Sequence, residues 1–216
     1  MSRFDELVKL LRPVPKDKMY PVFPAEELTE YTIQRAVDNE AVYLKAPRPC
    51  HYQDNSDDLA VRLLNEARIH ERIRRHPHRN LGSYLGCVVE HGRIVRLAME
   101  RYTESLYEYL QRETPESNSH QRIDCMDQIE AAAKHLHSLG LAHNDISPSN
   151  IMFDSEGQAV LIDLDSCAPL GNTLTKGGLV TGWKGPIHGH GRQYNRSSAE
   201  CDMEAIQEIR DSLGRT

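Results

Sequence analysis

No glycine occurs in the first 81 residues of this 216-residue chain; the first is Gly82. Glycine lets the backbone approach a neighbouring group closely, so no glycine-rich loop can lie in that stretch. Cysteine is equally thin. Cys50, Cys87, Cys125, Cys167 and Cys201 are odd in number, widely spaced and form no C-x-x-C. That argues against a disulfide framework or a zinc site and suits a reducing compartment. No long apolar run is present, so no transmembrane helix and no membrane partner are expected. MSRFDELVKLLRPVPKDK carries charges inside its apolar stretch and lacks a small-residue cleavage site; we expect no secretory signal and an intracellular protein, cytoplasmic or nuclear. Positive charge is not in excess: a net charge of −6 gives no reason to expect a nucleic-acid partner. Internal repeats and low-complexity tracts are also missing. What remains, 39% hydrophobic and 27% charged residues, suits one globular domain or two small lobes sharing a cleft.

Four prolines in RPVPKDKMYPVFP mark residues 12–24 as an irregular arm. TEYTIQRAVDNEAVYLKAP reads as two strands, the second over 41–45. A helix begins at Asp57 or Asp58, capped by Ser56 or Asp57, with Leu59, Leu63, Ala67 and Ile73 at helical spacing. RNLGSYLGCVVEHGRIVRLAMERY reads as a β-hairpin turning at His91-Gly92. TESLYEYLQRE is a short helix capped by Thr103. RIDCMDQIEAAAKHLHSLG is an amphipathic helix with Ile123, Met126, Ile129, Ala133 and Leu136 on one face, ended by Gly140. NIMFDSEGQAVLIDLD gives two short strands around residues 154–157. Residues 171–192 read as a mobile loop, and AECDMEAIQEIRDSLG as a last helix. The order is strand-rich then helix-rich: an α+β chain with two lobes joined at residues 99–103.

HNDISPSN, residues 143–150, concentrates polar groups just after the amphipathic helix. Pro148 discourages helix, so Asp145 and Asn150 can turn toward one cleft. Asp163 ends the apolar strand AVLIDL, where an unpartnered acid would be costly. A divalent cation is a natural partner, and carboxylate and amide oxygens suit Mg²⁺. Taken alone, Asp145 and Asn150 are ordinary turn residues; the register with Asp163 gives them a different meaning.

H-N-D-x-x-x-x-N, followed thirteen residues after the Asn by D-L-D, resembles the catalytic loop and metal-binding aspartate of protein kinases. AVYLK resembles the strand that carries the phosphate-binding lysine, here Lys45. LLNEARIH offers Glu66 as its ion-pair partner, with Glu71 a nearby rival. LAMERY resembles the strand entering the hinge. The resemblance spans residues 28 to 213 and is nearest to short fungal kinase-like domains. It implies a bilobal kinase-like fold: an arm over 1–24 and a domain over 25–214, with an N-lobe of about 25–99, a hinge at 100–103 and a C-lobe of 104–214 lacking the last helices. It implies ATP and Mg²⁺, with Asp145 accepting the substrate proton, Asn150 and Asp163 holding the metal, and Lys45 placing the phosphates. Met99 would guard the back pocket, and the backbone of Glu100 and Tyr102 would bind adenine. Asp202 would be a buried anchor.

The departures matter as much. Asn144 stands where an arginine usually pairs with a phosphorylated activation loop, so that mode of control is not expected. Ser147 stands where a lysine usually contacts the transferred phosphate. Asp165 replaces a glycine, and Gly185-Pro186-Ile187 lacks the A-P-E glutamate. The leading expectation is a protein serine/threonine kinase acting on a protein hydroxyl. The alternatives are a pseudokinase serving as a nucleotide- or protein-binding module, and a small-molecule kinase. Met203, Ile206 and Ile209 are expected to leave an apolar face for a partner or for self-association. RIHERIRRHPHR reads as a solvated helix end rather than a docking site, His188 and His190 as loop residues rather than ligands, His143 as a structural residue at the cleft floor, and Trp183 as packing under the activation segment.

Overall fold

The computed structural model describes residues 14–33, 41–49, 52, 58–112, 119–180 and 191–213. Three strands, β1 (Val42–Lys45), β2 (Tyr84–Glu90) and β3 (Arg93–Glu100), form an antiparallel sheet in the order β1-β3-β2. β2 and β3 are joined by His91-Gly92, whose φ values of 51° and 74° give the two left-handed residues of a tight hairpin turn. One face of this sheet is buried against a helix. Tyr84, Cys87, Ile94 and Leu97 meet Leu63 and Ala67 from helix α2 (Asp58–Arg75). Leu59, Leu63, Ala67 and Ile73 are all buried, as their spacing predicts. The proposed caps Ser56 and Asp57 lie outside the described residues.

The first strand expected in TEYTIQ is reduced, among the described residues, to one parallel rung between Glu30 and Cys87. Thr29 and Tyr31 share backbone hydrogen bonds with Cys87 at 2.8 and 2.7 Å. Gly86, at φ 144°, breaks the register of β2 there. A Cβ at this position would come within 3.1 Å of Tyr31 and 3.0 Å of the Thr29 carbonyl. The arm before it is also less irregular than its prolines suggest. A single helical turn, α1 (Lys16–Met19), packs against α2 with Met19 buried. Residues 20–23 then border the hairpin, with Ile94 N–H donating to Pro21 O and Phe23 N–H to Gly92 O, both at 2.9 Å.

A second, larger core gathers around helix α4 (Ser119–Ser138), which starts earlier than predicted. Met126, Ile129, Ala133 and Leu136 are fully buried; the side chain of Ile123 lies outside the described residues. Helix α3 (Leu106–Arg112) and strands β4 (Glu104–Ser105), β6 (Ile151–Phe153) and β7 (Ala159–Leu161) pack beside it. Thr103 is not the cap of α3. Ser105 is: its Oγ accepts from Glu108 N–H at 3.1 Å while its own N–H donates back to the Glu108 carboxylate at 2.9 Å. This reciprocal capping box outcompetes Thr103, whose hydroxyl donates to Phe153 O.

Helix α5 (Ala199–Leu213) closes this core. Ile206 and Ile209 are 0% and 2% exposed and pack into it, and Met203 is partly buried against the same cluster. The expected open apolar face is therefore absent at these residues, because α5 turns that face onto α4. Asn80, in the stretch between α2 and β2, is fastened to the second core. Its side-chain nitrogen donates to Ala159 O at 2.7 Å and to Gln128, and its carbonyl accepts Leu161 N–H at 2.8 Å. No helix among the described residues is long and apolar enough to cross a membrane.

The basic run after Arg68 is not simply solvated. Arg68 pairs with Glu27 at 2.9 Å, Arg74 donates to Thr29 Oγ1 at 2.7 Å, and Arg72 reaches Leu139 O. These arginines fasten residues 27–29 and the end of α4 to α2.

Candidate active site

Asp202 shows how the polar run is shaped. It is fully buried and accepts the backbone N–H groups of His143 at 2.8 Å and Asn144 at 2.7 Å, plus His137 Nε2 at 2.8 Å. Two backbone donors on one carboxylate force a sharp bend, and Asn144 sits in the left-handed region at φ 61°. Asn is among the side chains that tolerate this conformation best. Its side-chain nitrogen donates to Ala142 O at 2.8 Å, and to Ser166 O and Ser197 Oγ at 3.1 Å. One residue thus joins strand β5 (Leu141–Ala142), the turn after Asp163 and the lead-in to α5.

His143 is a clamp, as expected. Its Nε2 donates to Ile162 O at 2.9 Å and its Nδ1 accepts Asp145 N–H at 3.3 Å. That pair of bonds needs the neutral Nε2–H tautomer. Pro148 opens a single 3-10 turn, residues 148–150, which delivers Asn150 beside Asp145. Asn150 Nδ2 donates to Asp145 O at 2.8 Å, which leaves the amide oxygen as its acceptor. Asp163 lies two residues past β7, after Ile162, and is itself left-handed at φ 64°.

Lys45 joins the two halves. Its Nζ lies 2.6 Å from Glu66 Oε1 on α2 and 2.5 Å from Asp163 Oδ1. Of the two glutamates considered, Glu66 is the partner; Glu71 instead accepts from Thr29 N and Oγ1. Burial alone would lower the Lys45 ammonium, but Glu66 and Asp163 raise it above its ordinary value. Burial pushes Glu66 up, yet His70 and Lys45 hold it below the usual carboxylate range. Asp163 is likewise held down, chiefly by Lys45 against burial. Asp145 goes the other way: burial raises its pKa. Neighbouring carboxylates are thus driven in opposite directions, a pattern that marks reactive clefts.

These groups surround a cavity of about 500 Å³, a size suited to a nucleotide-scale ligand. Lys45, Glu66, Met99, Glu100, Tyr102, Asn150 and Asp163 line it together. Asp145 stands outside the lining and is joined to it through Asn150. Tyr102 OH accepts Ser83 N–H at 3.0 Å and donates to Glu100 Oε2 at 3.2 Å, which fixes the rim. Asn150 and Asp163 supply two oxygen donors on one wall. Among the described residues no three His, Cys, Asp or Glu side chains form a stand-alone metal cage. Two donors fit Mg²⁺ arriving with phosphates, since that ion completes its shell with phosphate oxygens and water.

Among the lining residues not singled out as site groups from sequence, two touch the carboxylates of the site or its edge. His70, 3% exposed, stacks on Tyr84 and lies 3.7 Å from Glu66; its place one helical turn after Glu66 was the available signal. Lys176 pairs with Asp165 at the cavity edge. Trp183, residues 185–187, His188 and His190 lie outside the described residues.

Residues 31–186 match the protein kinase domain family. The chain is 30% identical over 186 residues to the MAP kinase kinase kinase win1 of Schizosaccharomyces pombe, covering 85% of this chain and 12% of that protein. It is 28% identical over 170 residues to the serine/threonine-protein kinases drp72 of Corynebacterium efficiens, covering 75% and 32%. Against a dual serine/threonine and tyrosine protein kinase of Strongylocentrotus purpuratus it is 30% identical over 120 residues, covering 51% and 12%. The chain therefore spans a third or less of the length of each of these relatives.

Proposed function

The chain belongs to the protein kinase family, and from that premise we propose that it transfers the γ-phosphate of ATP to a serine or threonine hydroxyl of a protein. One observation carries the reading: Lys45 bridges Glu66 and Asp163 inside the cavity that Asn150 shares. Residues 25–99 then form the upper lobe, 100–103 the hinge and 104–214 the lower lobe; the clusters around Leu63 and Val42 draw only on residues of the upper lobe, while the larger cluster around α4 also takes in Ile73 and Leu81.

In this reading Lys45, oriented by Glu66, binds the α- and β-phosphates of ATP. Glu100 and Tyr102 offer backbone groups to the adenine at the rim, with Met99 behind them. Asn150 and Asp163 hold Mg²⁺, which neutralises phosphate charge when bound. Asp145 orients the acceptor hydroxyl and takes its proton on a carboxylate oxygen. Burial raises its pKa, which makes its carboxylate a better proton acceptor than a free one. Most of the rate then comes from positioning and charge neutralisation.

A second reading, a nucleotide-binding module without transfer, is favoured by the missing glycines before Gly82. One experiment separates them. The thermal midpoint is measured with Mg²⁺, ATP and both, and radiolabel transfer to a generic protein acceptor is measured in parallel. A Mg-dependent ATP shift, lost in Asp163→Ala, together with transfer lost in Asp145→Asn supports the kinase. A shift without transfer supports the module. No shift at millimolar ATP removes both, because a ligand that binds only the native state must raise the midpoint.

A further inference from the structure

The wall of the cavity that faces Asp145 has little positive charge of its own. From the polar run, β6, β7 and the turn after Asp163, the lining residues are Ser149, Asn150, Met152, residues 161–164 and Asp165, none of them cationic. The cationic residues Lys45, Arg48, Arg62 and Arg101 reach the cavity from the first sheet, α2 and the hinge. Lys45 is already matched by two carboxylates, and the Arg101 guanidinium donates to Val42 O at 2.9 Å. In the kinase reading the phosphoryl group passes from ATP toward Asp145, which is joined to the wall of the polar run through Asn150. Among the described lining residues, Lys176 is the cation contributed from beyond the Asp163 turn.

The backbone is built to hold it there. Gly178 N–H donates to Asn144 O at 2.6 Å, and Gly178 O accepts Tyr194 N–H at 2.7 Å. Gly177 and Gly178 are left-handed, at φ 76° and 75°. A Cβ on Gly177 would sit 2.6 Å from Asn144 O and 2.8 Å from Ser166 Cβ, and one on Gly178 would sit 2.2 Å from Tyr194 O. Only glycine allows so close an approach to the bend beside Asp145. Upstream, Leu174 N–H donates to Asn195 O at 3.0 Å. Lys176 is thus pinned at 174 and 178, and its ammonium rests on the Asp165 carboxylate.

We propose that Lys176, delivered by the Gly177-Gly178 docking on Asn144 and held ready by Asp165, is the cation that binds the transferred phosphoryl group. The proposal rests on the kinase reading. In the step, the bond between the γ-phosphorus and the β–γ bridging oxygen breaks. A bond forms from that phosphorus to the acceptor oxygen, and the acceptor proton passes to Asp145. Lys176 keeps its protons and donates hydrogen bonds to the phosphoryl oxygens, where charge builds in transit.

The test uses the whole chain. Thermal midpoints are read with Mg·ADP, with and without aluminium fluoride as a mimic of the moving group, for wild type, Lys176→Met, Lys176→Gln and Lys176→Arg. The expected result is that Met and Gln keep the wild-type unliganded midpoint and Mg·ADP shift but lose the added aluminium fluoride shift, while Arg retains part of it. Turnover should fall about 10- to 100-fold in the Met variant with KM for ATP little changed. An undiminished aluminium fluoride shift in both neutral variants overturns the proposal. So does equal loss of the Mg·ADP shift, which would make Lys176 a general nucleotide or scaffold contact. If wild type shows no Mg·ATP shift and no transfer, the kinase reading itself fails and the role of Lys176 falls with it.

Discussion

Asp202 accepts the backbone N–H of Asn144 at 2.7 Å from a position with no solvent exposure. The bond is one of three that the carboxylate receives, and it holds the bend from which Asp145 is presented. Asp202→Ala should leave two buried N–H groups unpaired and cost roughly 3–5 kcal/mol. Asn144→Ala removes three side-chain donations and puts at positive φ a residue less tolerant of it than asparagine; about 2–4 kcal/mol is expected. Urea denaturation of the purified variants measures both. A loss under 1 kcal/mol for either would mean that the bend is held by something else.

The Lys45–Glu66 pair makes a prediction with a sign. Glu66 and Asp163 have depressed pKa values in the fold. Their contribution is complete above the unfolded carboxylate pKa of about 4 and is lost as pH falls through the depressed values. Lys45→Met removes the cation, so burial then dominates and raises Glu66, which is 4% exposed. The variant should be less stable by roughly 2–4 kcal/mol at pH 7, discounted because Lys45 is one-fifth exposed. The gap to wild type should shrink on acidification toward pH 4, as Glu66 takes up a proton in the variant. Denaturation midpoints for the pair at pH 7, 5.5 and 4 decide it; a constant gap would rule out this coupling.

The residues that carry the site were readable because their spacing is fixed by local structure. A helix end, a proline-started turn and a short hairpin set the distances from Asp145 to Asn150 and Asp163, and each has a composition signal. The Glu66-over-Glu71 choice was legible only as a pair of candidates, since both lie on α2 and the arm's Thr29 decides between them. Long-range packing was not legible. The apolar side chains of α5 looked exposed because nothing in the sequence says which helix covers them, whereas α4 does. The strand before β1 was legible only in part: among the described residues it is one rung to Cys87, a partner more than 50 residues later that the sequence does not point to. Lys176 was missed because a lysine in a glycine-rich loop looks solvated until the loop is seen docked on Asn144.

Ser105 tests the local part of that argument. The capping box with Glu108 satisfies donors at the start of α3 and aligns β4 with β6. Ser105→Ala should destabilise by about 1 kcal/mol, whereas Thr103→Ala should cost less, because Thr103 makes one exposed bond to Phe153 O. For a chain of this length 1 kcal/mol corresponds to a midpoint change of roughly 2–4 °C. Equal effects from the two substitutions would return the cap to Thr103.

Asp145 separates function from stability most sharply. Burial raises its pKa, so the folded state holds that proton more tightly than the unfolded chain does. The sign is opposite to that of Glu66. Stability tied to Asp145 is greatest below the ordinary carboxylate pKa and declines as pH rises through the unfolded value toward the raised one. At neutral pH the ionised group therefore destabilises the unliganded protein. Asp145→Asn keeps the size and the acceptor oxygen while removing the charge. It should raise the unliganded midpoint by a few degrees at pH 7, on the scale of about 2–4 °C per kcal/mol, with the gain fading at pH 4. The same change should abolish phosphoryl transfer, and in wild type the acid limb of kcat/KM should lie above the ordinary carboxylate range. A variant that is inactive yet more stable is the signature of a group kept charged for chemistry. A variant that loses stability at pH 7 would instead make Asp145 a structural partner of Asn150.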